Sequence, residues 1–365
     1  MMTGQPLVLM MAGGTGGHVF PALAVAMELR NRGCQVEWVG TARGLEARVV
    51  PEAGIALHLL AVRGVRGKNP LWKIVALVSL LVAAVQALWL MCRLSPQCVV
   101  GLGGYVAGPA GVAAWLLRKP LIIHEQNAVA GTTNRMLAPL ASKVLAGFAG
   151  AFGDKVDDEI VGNPVRDELL QGGNQSTYSY EGQRPLRLLV MGGSLGAKPI
   201  NDVMPAVMRG LGEPGVQALI EVRHQCGEAH IVPVLAAYGD DDRVQVSAFI
   251  EDMAEAYQWA DLVLCRAGAL TVSELAIMGR PAILVPLPHA IDDHQSANAR
   301  ALSDLGGAIL LRQADMTSET LVKILRGYIA HPKQLSTLAQ AAAAAARPGA
   351  TSRVCDSCEE LIHGR

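Results

Sequence analysis

The chain has 365 residues, of which 51% are hydrophobic and only 4% aromatic, which is typical of a folded α/β protein large enough for two domains. A formal net charge of −1 excludes the strongly basic surface that nonspecific nucleic-acid binding requires. The 7 cysteines are scattered and odd in number, which excludes a dense disulfide framework and predicts a reducing compartment.

The N-terminal half alternates short apolar runs with helix patterns. The runs predict strands at residues 7–11, 36–39, 57–60, 98–101, 121–124 and 143–146. Parallel strands joined by crossover helices imply a doubly wound sheet. We therefore expect a Rossmann-like domain over residues 1–163, with ligands at the carboxyl ends of its strands.

One predicted helix of this half, residues 71–92, is apolar over a length that could span a bilayer. Basic residues cluster around it in the sequence, namely Arg63, Arg66, Lys68, Lys73 and Arg93. An apolar face with a basic rim favours docking on an anionic membrane surface. A helix buried against the sheet and a true membrane span are the alternatives.

The second half repeats the organisation of the first. A polar stretch with Gly and Pro, residues 161–185, predicts a linker, and "LRLLVMGGSLGAKPIN" then restarts the series of strand, glycine turn and helix. Further strands are predicted at residues 218–222, 244–247, 262–265, 282–285 and 308–311. We expect an α/β fold of two Rossmann-like domains facing each other across a cleft. The second domain covers residues 164–340, and residues 341–365 form a helix that packs back on the first.

The first glycine loop, residues 13–18, follows a buried strand and begins a helix. Val19 stands where the dinucleotide fingerprint needs its third glycine, and no P-loop pattern occurs. A nicotinamide enzyme stays an alternative because Glu37 lies near the place of a ribose-binding acid. Amides at a helix N-terminus bind anions, and the helix dipole favours a neutral His18 that can accept a proton. A capping or packing role for His18 is the alternative.

Two loops of the second half have the same properties. Residues 192–197 offer helix amides together with the hydroxyl of Ser194, although a tight turn without a ligand is the alternative. A further helix begins near Leu270, and Glu274 lies one turn into it. A carboxylate in that place can accept two ribose hydroxyls, and a solvated helix acid is the alternative.

Motifs at these three loops, and others between them, resemble the MurG family of peptidoglycan N-acetylglucosaminyltransferases. In chain order they are residues 13–18, "GGYVAGP" at 103–109, "HEQNAVAGTTN" at 124–134, "VGNPVR" at 161–166, residues 192–197, and residues 267–274 with 288–289, 292–295 and 298–299. The resemblance runs from Met10 to about Asn298. Some relatives have glutamine where Leu195 stands, so Leu195 is left out of the predicted site.

The resemblance implies a GT-B glycosyltransferase that transfers N-acetylglucosamine from UDP-N-acetylglucosamine to the muramyl 4-hydroxyl of lipid I (undecaprenyl-pyrophosphoryl-muramyl-pentapeptide), with inversion. His18 is the implied base. In the implied donor site, Glu274 binds the ribose hydroxyls and Gln295 contacts the sugar. The diphosphate is bound by Ser194 and residues 269–273. The implied donor-binding residues are Thr15, Gly16, Gly17, Asn127, Arg166, Ser194, Ile250, Ala269, Leu270, Thr271, Val272, Ser273, Glu274 and Gln295. The implied acceptor-binding residues are Gly14, Gly104, Tyr105, His124 and Glu125.

No D-x-D motif stands where it would bind a nucleotide sugar, so we expect no metal site and no cofactor, with free magnesium as an open alternative. The resemblance implies an anionic membrane surface and cell-wall synthesis and division proteins as partners. It also implies a peripheral position on the cytoplasmic face of the bacterial inner membrane. Two other functions stay open: a sugar-nucleotide 2-epimerase of the same architecture, and a noncatalytic protein that binds lipid-linked sugars.

Overall fold

The computed structural model describes residues 5–62, 70–154, 156–175, 178–212, 219–288 and 290–364. The chain forms two compact units. The first comprises Met1–Arg166 together with Pro348–Arg365, and the second comprises Asp167–Arg347. The structure thus changes units at residues 166/167 and 347/348, where the sequence predicts boundaries at 163/164 and 340/341.

The first unit is a parallel sheet with helices between its strands. The order of the strands across the sheet is β3-β2-β1-β4-β5-β6-β7. The strands are β1 (Leu7–Ala12), β2 (Gln35–Gly40), β3 (Ala56–Leu59), β4 (Cys98–Gly103), β5 (Leu121–Glu125), β6 (Lys143–Ala146) and β7 (Glu159–Ile160). The helices are α1 (Gly16–Asn31), α2 (Glu46–Glu52), α3 (Pro70–Leu94), α4 (Ala107–Leu116) and α5 (Thr132–Leu137).

The central strand β1 shows why this half of the sequence reads as continuous apolar runs. All of its residues are buried. Val8 and Met10 join the core cluster that includes α1, whereas Leu9 and Met11 join the cluster that includes α3 and α4. Helices cover both faces of the sheet, so both sets of alternating side chains are apolar. The strand order reverses between β1 and β4, which places a crevice at their carboxyl ends.

The second unit repeats this plan with the strand order β10-β9-β8-β11-β12-β13. All of its strand pairs are parallel, and the order reverses between β8 and β11. The strands are β8 (Leu186–Met191), β9 (Ile220–Gln225), β10 (Val244–Ser247), β11 (Leu262–Cys265), β12 (Ala282–Leu284) and β13 (Ala308–Leu310). The helices are α6 (Asp167–Gln175), α7 (Lys198–Gly210), α8 (Ile231–Tyr238), α9 (Met253–Trp259), α10 (Ala269–Ile277), α11 (His294–Ser303), α12 (Ser318–Ala330) and α13 (Lys333–Ala344).

The last helix, α14 (Ala350–His363), belongs to the first unit. Its residues Val354, Cys355 and Cys358 are buried in the core cluster that contains α1. At the edge of this contact the Arg32 guanidinium lies 2.6 Å from Asp356. The two cysteines of the C-terminal "CDSC" sequence therefore serve the core, and burial raises the pKa of the Cys355 thiol to about 12.

Four details of the fold differ from the sequence prediction. Helix α6 (Asp167–Gln175) lies within residues 161–185, which were predicted to be a linker. β9 starts at Ile220 and continues to Gln225 through polar residues, where an apolar run at 218–222 was predicted. The short strand β7 was not predicted, because two residues carry no periodic signal. The predicted helix at 71–92 extends from Pro70 to Leu94.

The basic residues predicted around α3 lie mostly beyond what the structure describes. Arg63, Arg66 and Lys68 are outside the described residues, as is the side chain of Lys73. Arg93 is described, and its guanidinium lies 5.2 Å from the centre of the Trp89 ring. Within the described part of the chain, no helix combines the length and the apolar character that a membrane crossing needs.

Candidate active site

The first glycine loop joins β1 to α1 beside the reversal of strand order in the first unit. Gly14 has a φ of +96°, a conformation that favours glycine because it lacks a Cβ. Thr15 is the extended residue before α1, and its side chain caps no amide. Gly16 and Gly17 are the first residues of α1, where amides have no partner within the helix. The loop therefore has the geometry for receiving an anion.

A buried carboxylate that the sequence analysis missed holds this loop in place. Glu46 is fully buried, and its Oε2 accepts a hydrogen bond from the Gly14 amide at 2.9 Å. Its Oε1 accepts from the amide and the hydroxyl of Thr41 at 2.9 and 2.7 Å. Because the Gly14 amide already donates to Glu46, the amides left for a ligand belong to the residues that follow Gly14.

The turn after β4 lies directly against the first loop. Gly104 has a φ of +86°, and a Cβ there would clash with the carbonyl oxygen of Gly13 and lie 3.1 Å from its nitrogen. Only glycine allows the two turns to approach so closely. Tyr105 comes next and is 61% exposed, so it is the side chain of this turn that is open to a ligand.

His18 lies in the first turn of α1 and is half-buried against the end of β4. Gly103 has a φ of +108°, and a Cβ there would lie 3.0 Å from both Cε1 and Nδ1 of the imidazole. The His18 Nδ1 lies 2.6 Å from Oε1 of Gln126, which follows β5. The ring is therefore held by residues at the ends of two neighbouring strands, and its hydrogen bond goes to a side chain instead of a helix amide.

His124, a predicted acceptor ligand, lies beneath this site. It is fully buried, with its Nε2 2.9 Å from the Gly162 carbonyl oxygen and its Nδ1 3.0 Å from the Gln126 side-chain nitrogen. Burial lowers the pKa of the imidazole and favours the neutral ring. His124 therefore supports Gln126, and a direct contact with the acceptor stays a prediction.

Glu125, the second predicted acceptor ligand at this strand end, is 1% exposed. One of its oxygens accepts from the amide and the side chain of Asn127, at 2.9 and 3.0 Å. The other accepts from the Gly131 amide at 3.0 Å and from the Asn134 side chain at 2.8 Å. Glu125 thus shapes the loop after β5 from inside, while Asn127 is half-buried at its start.

The second glycine loop joins β8 to α7 beside the reversal of strand order in the second unit. Gly193 and Gly196 have φ values of +80° and +76°. Gln225, another residue that the sequence analysis missed, accepts from the Gly192 amide at 3.2 Å and donates to the Gly193 carbonyl at 3.1 Å. Ser194 is exposed on the loop that these bonds shape.

The third predicted ligand-binding loop follows β11, one of the two strands between which the strand order reverses. Gly268 is the extended residue before α10, and Ala269 begins the helix, one residue from the predicted start. The Ser273 hydroxyl donates to the Ala269 carbonyl at 3.1 Å. The first turns of α10 contain the predicted diphosphate ligands Ala269, Leu270, Thr271, Val272 and Ser273.

Glu274 is half-buried on α10 and is held by a neighbouring helix. The hydroxyl of Tyr257, a fully buried residue of α9, donates to its Oε2 at 2.9 Å. This hydrogen bond positions the carboxylate, which is not the freely solvated helix acid of the alternative reading.

Gln295 is the second residue of α11, the helix that follows the loop after β12. Its Oε1 accepts from the Leu287 amide at 2.9 Å, so the side chain ties the loop to the helix. Asp292 and Asp293 precede it with φ values of +54° and +50°, which strains residues that carry a side chain. His289, part of the same predicted motif, lies outside the described residues.

Ile250 and Arg166 are the remaining predicted donor-binding residues. Ile250 follows β10 and lines a cavity of about 280 Å³ together with Phe249, Arg223 and Glu255. The Arg223 guanidinium contacts both carboxylate oxygens of Glu255, at 2.7 and 2.9 Å. Arg166 is exposed where the chain passes from the first unit to the second.

The structure thus gathers most of the predicted residues into one group per unit, at the carboxyl ends of strands beside each reversal. The first group contains the loop of Gly14, the turn of Gly104, and His18. The second contains Ser194, the start of α10, and Gln295. Among the residues that the structure describes, no group of three or more His, Cys, Asp or Glu side chains could hold a metal ion.

Known proteins resemble the chain over nearly its whole length. Residues 8–146 match the glycosyltransferase family 28 N-terminal domain, and residues 187–354 match its C-terminal domain. A UDP-N-acetylglucosamine--N-acetylmuramyl-(pentapeptide) pyrophosphoryl-undecaprenol N-acetylglucosamine transferase of Pseudomonas putida is 51% identical over 361 residues, covering 98% of each chain.

Solved structures agree with this comparison. The crystal structure of Acinetobacter baumannii MurG superposes with a TM-score of 0.82 at 40% identity, covering 97% of this chain and 99% of that one. A UDP-GlcNAc 2-epimerase from Neisseria meningitidis bound to UDP-GlcNAc has a TM-score of 0.67 at 13% identity, covering 99% of this chain and 100% of that one. At 13% identity, this comparison shows only that the two proteins share a fold.

These findings confirm the GT-B fold class and the resemblance that the motifs indicated. The relatives are about 50% identical to this chain and match it over nearly their whole length, so they establish its family. The chain belongs to the family of UDP-N-acetylglucosamine--N-acetylmuramyl-(pentapeptide) pyrophosphoryl-undecaprenol N-acetylglucosamine transferases, built from two glycosyltransferase family 28 domains.

Proposed function

We infer that this chain is an inverting glycosyltransferase of peptidoglycan synthesis. It transfers N-acetylglucosamine from UDP-N-acetylglucosamine to the muramyl 4-hydroxyl of lipid I, which yields lipid II and UDP. The observation that carries this inference is 51% identity, over 98% of both chains, to a transferase whose name states both substrates.

The residues of the first unit are proposed to activate the acceptor. The 4-hydroxyl oxygen attacks the anomeric carbon of the donor, the bond from that carbon to the UDP oxygen breaks, and His18 takes the hydroxyl proton. Thr15 and the amides of Gly16 and Gly17 reach both the donor sugar and the acceptor diphosphate, and the exposed Tyr105 faces the acceptor. Gly14 and Gly104 contribute the backbone shape of this site, since the Gly14 amide donates to Glu46.

The residues of the second unit are proposed to hold the donor. Ser194 and the first amides of α10 bind the diphosphate, and Glu274 accepts the ribose hydroxyls beside its bond from Tyr257. Helix N-termini aimed at a leaving diphosphate stabilise its developing charge, so the chemistry needs no protein-bound metal. Gln295 and Asn127 contact the sugar, and Ile250 and Arg166 contact the uridine.

One incubation separates this function from its two alternatives. The full chain is mixed with labelled UDP-N-acetylglucosamine and a lipid I analogue, and the products are separated. Label in the lipid supports the transferase. Labelled UDP-N-acetylmannosamine without lipid product would establish the epimerase, and binding without any turnover would establish a noncatalytic carrier.

We further propose that α3 and α4 dock the enzyme on the cytoplasmic face of the inner membrane. The exposed face of α3 carries Val78, Leu81, Val85 and Trp89, which are 54%, 60%, 67% and 61% exposed. These positions recur every three or four residues and therefore share one side of the helix. Trp115 on the neighbouring α4 is 49% exposed. A lipid-linked acceptor stays close to the headgroups, so the acceptor-binding unit needs such a surface.

Vesicle sedimentation tests this docking surface. Val85→Ser with Trp89→Ser should reduce binding to anionic vesicles, while Val232→Ser, a 73% exposed residue of the second unit, should not. Replacing Arg66, Lys68 and Lys73 by glutamine should weaken binding and its salt dependence, since each basic residue contributes about 1 kcal/mol. UDP affinity should be unchanged throughout. Vesicle binding that changes neither with these substitutions nor with the salt concentration would contradict docking at α3.

A further inference from the structure

A chain of hydrogen bonds leads from the buried His124 through Gln126 to His18. The surroundings of His124 fix which of its two ring nitrogens carries the proton. His124 Nε2 faces the Gly162 carbonyl oxygen at 2.9 Å, and a carbonyl oxygen can only accept. The Nε2 therefore carries the proton of the neutral ring, and Nδ1 is left as an acceptor. Full burial of His124 favours the neutral ring.

The orientation of the Gln126 side-chain amide follows from that assignment. Its nitrogen lies 3.0 Å from the His124 Nδ1 and 3.0 Å from the His124 carbonyl oxygen. Both atoms are acceptors, so the NH2 group must face them, and the flipped amide would bring an oxygen against two lone pairs. Gln126 is 1% exposed, so water cannot readily replace these partners.

The Gln126 oxygen must then face His18, whose Nδ1 lies 2.6 Å away. We propose that Gln126 and His124 are positioning residues that hold the neutral His18 imidazole as its Nδ1–H tautomer. In this tautomer Nε2 has the lone pair and is the atom that takes the proton of the acceptor hydroxyl. The proposal rests on the function proposed above and assigns the reacting atom of its base.

The surroundings of His18 agree with this assignment. The ring lies against Gly103, where an added Cβ would come within 3.0 Å of Nδ1 and 3.4 Å of Nε2. No hydrogen bond within the described part of the chain engages the His18 Nε2. A wrong tautomer in a histidine base can cost about 10⁴-fold in turnover, as in the serine-protease triad, which gives a fixed tautomer its value.

Nitrogen NMR of ring-labelled histidine reads the tautomer without any substrate. The His18 signals are identified by their loss in His18→Ala. In the wild-type protein at alkaline pH, where a histidine ring is neutral, His18 should give the pattern of an Nδ1–H ring. A wild-type His18 with its proton on Nε2 would overturn the proposal, whatever the variants do.

The same spectrum contains a reference for the opposite tautomer. His224 in the second unit has its Nε2 3.0 Å from the Asn201 side-chain oxygen, while the Asn201 nitrogen donates to the Cys226 carbonyl. Its Nδ1 lies 2.8 Å from the Tyr238 hydroxyl. His224 should therefore give the Nε2–H pattern, and so should His124.

Two variants of Gln126 separate positioning from a structural role. Gln126→Leu removes the acceptor, so His18 should become a mixture of tautomers. We expect kcat to fall by between about 10-fold and the roughly 10⁴-fold limit for loss of a general base, with UDP affinity unchanged. Gln126→Glu keeps an oxygen facing Nδ1, so in a folded protein it should retain the Nδ1–H tautomer and more activity than Gln126→Leu. Its second oxygen meets the two His124 acceptors, so this variant should also lose stability.

Unchanged tautomer and kcat in a folded Gln126→Leu protein would refute the positioning role. If the variant fails to fold, the wild-type spectrum decides the matter alone. The proposed function can fail separately: an enzyme that transfers no label to a lipid I analogue refutes the function, while the tautomer is read independently. A wild-type enzyme that transfers label but shows an Nε2–H ring at His18 refutes only this inference.

Discussion

Replacing Gly103 by alanine tests whether His18 must stay where the structure places it. A Cβ at this position would lie 3.0 Å from two atoms of the imidazole, whereas ordinary contact begins at 3.4 Å. The ring must therefore move by about 0.4 Å or more. Because a 1 Å misplacement of a reacting group costs about 10²-fold, a shift of this size predicts a kcat lower by roughly 5- to 10-fold.

The substitution also strains the backbone, and a second glycine serves as its control. Gly103 has a φ of +108° and Gly150 has a φ of +74°, but nothing lies within 4 Å of a Cβ on Gly150. Each alanine should cost about 1 to 3 kcal/mol of stability from its backbone conformation. Only Gly103→Ala should also displace His18.

The assay compares kcat for transfer to a lipid I analogue, UDP affinity by calorimetry, and the melting temperature of the two variants. We expect a lower melting temperature in both variants, more so in Gly103→Ala because of its added contact with His18, unchanged UDP affinity in both, and a lower kcat in Gly103→Ala alone. Equal kcat values for Gly103→Ala and Gly150→Ala would refute the placement of His18 as the reacting base.

Three further predictions concern the base, the donor and pH. His18→Ala should lower turnover by about 10² to 10⁴-fold with UDP affinity spared, and near-normal turnover would leave His18 a packing residue. Glu274→Ala should weaken UDP binding by about 1.5 to 3 kcal/mol for each charge-assisted bond lost, and unchanged calorimetric affinity would remove Glu274 from the site. Burial lowers the pKa of His124, and that of His224 to about 4. The unfolded chain therefore binds these protons first, so the melting temperature should be highest above about pH 6.5 and fall towards pH 4. A rise over that interval would contradict the buried neutral rings.

The strands and helix starts were predictable because their signals are local. β1 and β11 are covered on both faces, so each reads as an apolar run in the sequence. The start of α10 was predicted to within one residue, since small residues between a strand and a helix pattern mark a turn. Because such turns follow parallel strands, the positions of the candidate sites at strand ends were predictable too.

The residues that shape the loops were not predictable in this way. Glu46 lies in a short helix, and no motif in the neighbouring sequence marks it as functional. It holds the first glycine loop only through its hydrogen bond with Gly14, 32 positions away. Gln225 ends a strand whose polar residues broke the apolar run, and it meets Gly192 33 positions away. Gln126 stands inside a quoted motif, but its role depends on His18, 108 positions away. Hydrogen bonds between residues so far apart in the sequence produce no periodic pattern by which they could be predicted.

The product of the reaction tests the central claim most directly. The full chain is incubated with UDP-N-acetylglucosamine and a lipid I analogue, and the lipid product is analysed by mass spectrometry and proton NMR. We predict that the analogue gains one N-acetylglucosamine for each UDP released, attached to the muramyl 4-position, with the large anomeric coupling of a β linkage. An α linkage, attachment at another position, or UDP release without a glycosylated lipid would contradict an inverting transfer to lipid I.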